Sequence, residues 1–162
     1  MILCETERLI IRHWSPKDLA PFQALVADPE VMKYIGDGSV LSPEKASDYI
    51  QNCISNIQKI GWARFAVELK SEHSLIGFCG FAHYNGELDF GWRYAKKHWG
   101  KGYATEAAKA VLELGVKRFQ FPRIVCFAFT ENKASIRIME KIGLRFEEFA
   151  EFNGKEVVKY VL

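Results

Sequence analysis

"KKHWGKGYATEA", Lys96–Ala107, sets two glycines around a lysine, straight after the aromatic run "ELDFGWRY" and straight before an alanine-rich helix. Glycines weaken regular structure, so a pair at a strand-to-helix junction serves either a turn or a close approach of the backbone to a ligand. The first-turn amides of a helix lack intrahelical partners and point along its axis, where the helix dipole also favours negative charge. Gly100 and Gly102 remove side chains that would keep an anion from those amides. Arg93, Lys96, Lys97 and Lys101 surround the loop with positive charge. A helix-initiating turn with a solvated basic rim and a cradle for a phosphate or pyrophosphate both fit this spacing. Two familiar phosphate loops do not. A P-loop requires Gly-Lys-Ser/Thr, whereas Gly102 follows Lys101. The dinucleotide fingerprint requires a third glycine where Thr105 stands, and an acidic residue at the end of the next strand.

Outward from this loop the chain reads as short alternating elements. "ERLIIRHW" is a first strand, and Ser15-Pro16 starts a helix over about Lys17–Ala27, with Leu19, Phe22 and Val26 at helical spacing. Ser42-Pro43 opens a second helix running to about Gln58. "WARFAVEL", "SLIGFCGFAHY" and "ELDFGWRY" are strands, the last two joined by a tight Asn85-Gly86 turn. Beyond the loop, Ala104, Ala107, Ala108, Val111, Leu112 and Gly115 mark one face of a long helix. "RIVCFAFT" has the continuous apolar character of an interior strand. A helix over Lys133–Ile142 follows, capped by Asn132 and stopped by Gly143. "LRFEEFAEF" and "EVVKYVL" form a hairpin around Asn153-Gly154. The order β-α-α-β-β-β-α-β-α-β-β predicts an α/β (α+β) fold, a mixed central sheet of about seven strands with four helices, in one domain over residues 1–162.

The bulk composition narrows the function classes. The 162 residues are 49% apolar and 26% charged, enough for a core of ordinary size. A net charge of +2 is too mild to suggest a nucleic-acid protein on charge alone. Cys4, Cys53, Cys79 and Cys126 are scattered, with no CxxC pair and no Cys/His set at zinc-ligand spacing, so no metal is expected. The opening "MILCETERLIIRHW" interrupts its apolar residues with Glu and Arg, unlike a signal peptide, and no run approaches the ~20 apolar residues of a membrane span. A cytoplasmic protein with reduced thiols, as monomer or homodimer, is expected, with neither nucleic acid nor membrane as partner.

"HWGKGYATEA" resembles the acyl-CoA pyrophosphate loop of the GNAT superfamily of N-acetyltransferases. Its pattern, Gln/Arg-x-x-Gly-x-Gly/Ala, is met by Lys97-His98-Trp99-Gly100-Lys101-Gly102, with Lys97 in place of the usual Gln/Arg. "ETERLIIRHWSPKDLAPF" and "DPEVMKYIG" resemble the opening of the subfamily that contains the ribosomal-protein N-terminal acetyltransferases. "ENKASIRIMEKIGLRFE" resembles its Asn-x-x-Ser segment, so the likeness covers nearly the whole chain.

The resemblance implies a GNAT fold that uses acetyl-CoA to acetylate an amine acceptor by direct transfer. Tyr103, Ala104 and Thr105 would complete the phosphate loop. Trp92, Arg93 and Tyr94 would flank the pantetheine, with a backbone N–H toward the thioester oxygen. Asn132 would bond the pantetheine arm as well as cap its helix. Ser135 shares a helix face with Ile138, Met139 and Ile142, so its hydroxyl faces the core or the cofactor, or else bonds back to the preceding turn. The family places such a serine near the CoA sulfur, as proton donor. Asp89 stands where the subfamily commonly has a Glu, and becomes the candidate base. Glu87 projects to the same face as Asp89. Tyr34 and Asp37, by analogy, lie at an acceptor site between the "MKYIGDGSV" loop, the second helix and the final hairpin. The favoured acceptor is a protein N-terminal α-amine. A small-molecule amine, and a non-catalytic acyl-CoA-binding module, are the alternatives.

Overall fold

The computed structural model describes residues 1–162. Its elements are β1 (Ile2–Glu5), β2 (Leu9–Arg12), a 3₁₀ turn (Pro16–Asp18) running into α1 (Leu19–Val26), α2 (Pro29–Met32), α3 (Pro43–Ile60), β3 (Arg64–Leu69), β4 (Ser74–Tyr84) and β5 (Glu87–Tyr94). A second 3₁₀ turn (Lys96–His98) leads to α4 (Tyr103–Lys117), followed by β6 (Val125–Phe129), α5 (Lys133–Lys141), β7 (Arg145–Phe152) and β8 (Lys155–Val161). The strands form one eight-stranded sheet in the order β1-β2-β3-β4-β5-β6-β8-β7. Every neighbouring pair is antiparallel except β5 with β6. No helix is long and apolar enough to cross a membrane.

The mixed α/β architecture agrees with the sequence reading, and the element count differs in two places. The expected first strand, in "ERLIIRHW", is β2, and an additional strand before it, Ile2–Glu5, pairs with it as a hairpin. Thr6 makes that turn, its Oγ1 accepting the Leu9 N–H at 3.0 Å. "DPEVM", expected as loop, forms the single helical turn α2 because the Asp28 side chain accepts the Glu30 N–H at 2.9 Å, with Pro29 at the first helical position. Elsewhere local chemistry and structure coincide. The Ser42 side chain caps α3, and Asn132 caps α5. Both Asn-Gly turns have positive φ at each residue, the type I′ geometry that matches strand twist.

The two faces of the sheet are covered separately. Beneath α4, Ala107, Ala108 and Val111 pack on Phe65, Cys79, Phe81 and Phe90. On the opposite face Phe22, Val26, Ile50 and Cys53 from α1 and α3 pack on Trp14, Ala66 and Phe78. Phe22, Phe65, Phe81 and Phe90 are fully buried, each contributing about 1.5–3 kcal/mol of apolar transfer. β5 is shared: Phe90 and Tyr94 join the first cluster, while the Arg93 guanidinium lies 5.2 Å from the Phe78 ring centroid in the second.

One buried charge cluster ties β2 and β3 to the start of α1. Arg12 donates to both Asp18 oxygens at 2.7 Å and to Glu68 at 2.7 Å. Burial opposes ionisation of Asp18, but hydrogen bonds from Arg12 and Ser15 outweigh it and hold the carboxyl below its ordinary value; Glu68 is lowered likewise by Arg12 and Lys17 against burial. A carboxylate with a depressed folded pKa stabilises the fold fully above its unfolded value, near about 4, and loses that contribution as pH falls through the folded value. Asp18→Ala is expected to lower unfolding free energy by about 3–5 kcal/mol at neutral pH, by leaving Arg12 buried with only Glu68. In denaturant titrations the gap between parent and variant should narrow below about pH 4.

Candidate active site

The glycine loop closes over the N-terminus of α4. Gly100 and Gly102 have φ of +71° and +81°, conformations that L side chains rarely adopt. Gly102 is the N-cap and has no side chain to occupy the first-turn amides, which stay available. A Cβ at Gly100 would meet no protein atom within 4 Å, so the space above the loop is open. A hollow of about 520 Å³ lies there, lined by Tyr94, His98, Trp99, Gly100, Gly102, Tyr103, Ala104 and Thr105 on one side. Lys133, Arg137 and Lys141 of α5 line the other. Their spacing of four puts them on one helix face, a signal present in the sequence. The α4 amides facing three cations fit a polyphosphate.

The first turn of α4 also carries Glu106, which would repel such a ligand. Arg8 removes that problem: its Nε donates to Glu106 Oε2 at 2.7 Å, its backbone N–H to Oε1 at 2.9 Å, and Thr6 Oγ1 to Oε1 at 2.6 Å. Arg8 also donates to the Lys101 carbonyl at 2.9 Å and lies over the Tyr103 ring. Nothing local in the sequence marks Arg8, because its partners are some hundred residues away. His98 sits under the loop with both ring nitrogens buried and unbonded. Burial holds its pKa below the ordinary value, against the pull of Glu72, so the ring is neutral at neutral pH. Trp99 donates from Nε1 to the Tyr94 carbonyl at 2.9 Å, tying the loop to the end of β5.

The second hollow arises where β5 and β6 part. These parallel strands share one ladder pair, Asp89 with Val125, and then diverge. The gap holds about 470 Å³ and is lined by Phe90–Arg93 of β5 and Cys126–Ala128 of β6, with Asn132, Ser135 and Met139 of α5. It adjoins the phosphate hollow along both chain segments, since Tyr94 follows Arg93, and Lys133 and Ala134 lie between Asn132 and Ser135. Asn132 Oδ1 accepts the Ser135 N–H at 3.3 Å. The Ser135 hydroxyl makes no bond back to the preceding turn and lines the gap. Tyr34 reaches the same space, and α3 adds Tyr49, Asn52, Cys53 and Asn56. Those four positions follow a three-four-seven spacing that sequence reading passed over.

Asp89 lines this gap but is not free. Arg64 reaches from β3 across β4 and β5 to pair with it, donating also to the Gly80 carbonyl at 3.0 Å. The crossing works because Gly91 lies underneath: a Cβ there would stand 2.1 Å from Arg64 Nη1. Burial raises the Asp89 pKa above its ordinary value, and the attraction of Arg64 only partly offsets this. Arg64 was not singled out from sequence. The glycine inside the strand "DFGW" is the signal that a side chain passes over it, whereas Gly80 in "FCGF" admits the close backbone of Ala63–Phe65.

Four expected residues are engaged elsewhere. Glu87 points as expected to the side of Asp89, but pairs with Lys159 at 2.8 Å and Arg123 at 3.1 Å instead of lining the gap. Asp37 accepts the Ser39 N–H at 2.9 Å and shapes its own turn. Lys97 is exposed beside Glu72, and Lys101 offers the loop only its backbone carbonyl, to Arg8. In each case a nearer partner satisfies the side chain or backbone group.

Comparison with known proteins agrees with this geometry. Residues 8–145 match the acetyltransferase (GNAT) domain family. The chain is 40% identical over 147 residues to the uncharacterized N-acetyltransferase YnaD of Bacillus subtilis (strain 168), covering 89% of this chain and 83% of that protein. A GNAT-family acetyltransferase from Bacillus anthracis superposes with a TM-score of 0.83 at 32% identity, over 98% of this chain and 96% of the other. RimL, a ribosomal L7/L12 α-N-protein acetyltransferase solved with coenzyme A, shares the fold with a TM-score of 0.83 at 18% identity, over 100% and 97% of the two chains. With a glycine loop on a helix N-terminus beside two parting parallel strands, the chain belongs to the GNAT family of acetyltransferases.

Proposed function

We propose that this acetyltransferase takes its acetyl group from acetyl-CoA and passes it directly to a primary amine, the N-terminal α-amine of a protein or peptide. The observation that carries the reading is the gap opened by β5 and β6, with the anion cradle at one end and Ser135, Asn132 and Tyr34 around the other. Pyrophosphate would rest on the amides of Tyr103, Ala104 and Thr105, with Lys133, Arg137 and Lys141 opposite. Backbone groups of Trp92, Arg93 and Tyr94 that lack a ladder partner would pair with the pantetheine amides like an added strand.

In the transfer, the amine nitrogen lone pair attacks the thioester carbonyl carbon. The C–S bond then breaks, the nitrogen loses a proton, and the thiolate gains one, leaving an N-acetyl product and free thiol. Ser135 is the proposed proton donor to sulfur, directly or through water. Asp89 is the proposed acceptor of the nitrogen's proton. An α-amine, with a pKa near about 8, needs little such help, whereas a lysine side chain near about 10.4 needs more. Direct transfer is supported by the cysteines along the gap. Burial pushes the Cys53 thiol up to about 11 and raises Cys126 well above its ordinary value, so neither is a ready thiolate nucleophile. Similarity of fold to RimL favours a protein N-terminus as acceptor.

Gly100→Val should weaken CoA binding in calorimetry by about tenfold or more, by filling the open cradle and straining a left-handed backbone. Unchanged affinity in the folded variant would remove the cradle from the cofactor site. Ser135→Ala should lower turnover by about 10²-fold with acetyl-CoA affinity nearly intact. A variant as fast as its parent at saturation would take Ser135 out of the chemistry. Acetyl-CoA-dependent thiol release, with mass detection, across free-terminus peptides, blocked-terminus lysine peptides and small amines tests the acceptor. Transfer confined to free-terminus peptides is expected, and transfer confined to small amines would overturn the protein-acceptor reading.

A further inference from the structure

The charges around the gap do not balance. Three ionised side chains line it: Arg64, Asp89 and Arg93. Arg64 and Asp89 neutralise each other in a direct ion pair. Arg93 has no such partner. Its Nε is buried without a hydrogen bond, and its guanidinium lies over the Phe78 ring, a contact that supplies no counter-charge. The elements packed around it add only neutral groups: Tyr49, Asn52, Cys53 and Asn56 from α3, and Tyr34 from the loop after α2. Arg64, the nearest other cation, repels it, and burial is the main influence lowering its pKa. The guanidinium is partly buried, with its Nε unbonded and no counter-charge beside it, so it has donors to offer an anion that enters the gap.

Acetyl-CoA would not supply that anion. Arg93 lines the inner gap and is absent from the phosphate hollow, where Lys133, Arg137 and Lys141 stand. The part of the cofactor that would enter the gap, pantetheine and thioester, is neutral. The remaining occupant is the acceptor.

We infer that Arg93 recognises the acceptor, and that the acceptor carries a carboxylate within a few bonds of the amine to be acetylated. This rests on the acetyl-transfer reading above and narrows its substrate class. Arg93 extends from β5 on the face covered by α3, opposite Phe90 and Tyr94, so its head group is on the side where an acceptor would enter beside Tyr34. A guanidinium offers a planar fork of donors that matches a carboxylate. Asn52 and Asn56 add side-chain amides free of other hydrogen bonds. Two sources share this chemistry: a peptide beginning with Asp or Glu, and a free amino acid with its own α-carboxylate.

The test uses acceptor pairs that differ only in charge: peptides starting with Asp against Asn and Glu against Gln, and free amino acids against their α-amides. Binding to the CoA-loaded protein is measured by calorimetry, and kcat/KM is measured with acetyl-CoA. In at least one pair the acidic member should bind about tenfold tighter, and that pair identifies the source. Arg93→Gln, with its fold verified by circular dichroism, should reduce the preference to within about twofold. Equal or weaker binding of the acidic member in every pair, measured on the unmodified protein, overturns the inference; so does a folded Arg93→Gln variant that keeps the preference. A binding preference without acetyl transfer would uphold the charge recognition while refuting the proposed reaction.

Discussion

The parting of β5 from β6 is the constraint on which the rest of the structure depends. Two parallel neighbours in the middle of a sheet meet at Asp89 and Val125 and then separate, exposing backbone N–H and C=O groups that a continuous ladder would have satisfied. Such a gap persists only if each strand is secured from its other side. β5 pairs with β4 along its whole length, from Glu87 to Tyr94, and β6 pairs with β8 from Val125 to Phe129. The two halves of the sheet are thus separately complete, with α4 packed beneath β5 and α5 beside β6. Arg64 fixes the point of parting, because its reach across β4 and β5 to Asp89 anchors β5 just before it turns away.

Electrostatics around this gap follows one pattern with one exception. A charge that would disturb the fold or the anion site is neutralised on the spot: Glu106 by Arg8, Asp89 by Arg64, and Asp18 together with Glu68 by Arg12. Each of these arginines makes at least two donor contacts, so geometry as well as charge is satisfied. Arg93 departs from the pattern. It lines the functional space, and its charge is the one left without a counter-ion there.

The parts of the fold legible in the sequence are those whose causes are local. Gly100 and Gly102 at a helix start, Ser42 and Asn132 as caps, and the two Asn-Gly turns each act within a few residues, and they occupy the expected places. The expected residues Trp92–Tyr94, His98–Gly100, Gly102–Thr105, Asn132 and Ser135 line the two hollows of the candidate site. Glu87 and Lys97 are engaged by distant partners, Lys159 and Glu72, that local spacing does not reveal, whereas Asp37 is taken by a local turn with Ser39, two residues on. The additional strand β1 turns back onto the expected one at Thr6, whose hydroxyl bonds Leu9 three residues on and Glu106 as well.

By itself, the sequence determined the order of elements, the family, the glycine cradle and the serine at the head of α5, because backbone conformation and capping are set by neighbours in the chain. The tertiary structure decided which charges cancel. Arg8 meets Glu106 and Arg64 meets Asp89 across separations of 98 and 25 residues, through contacts that no local spacing encodes. It also decided that Arg93 stands unpaired, since a missing partner is a property of everything packed around a side chain.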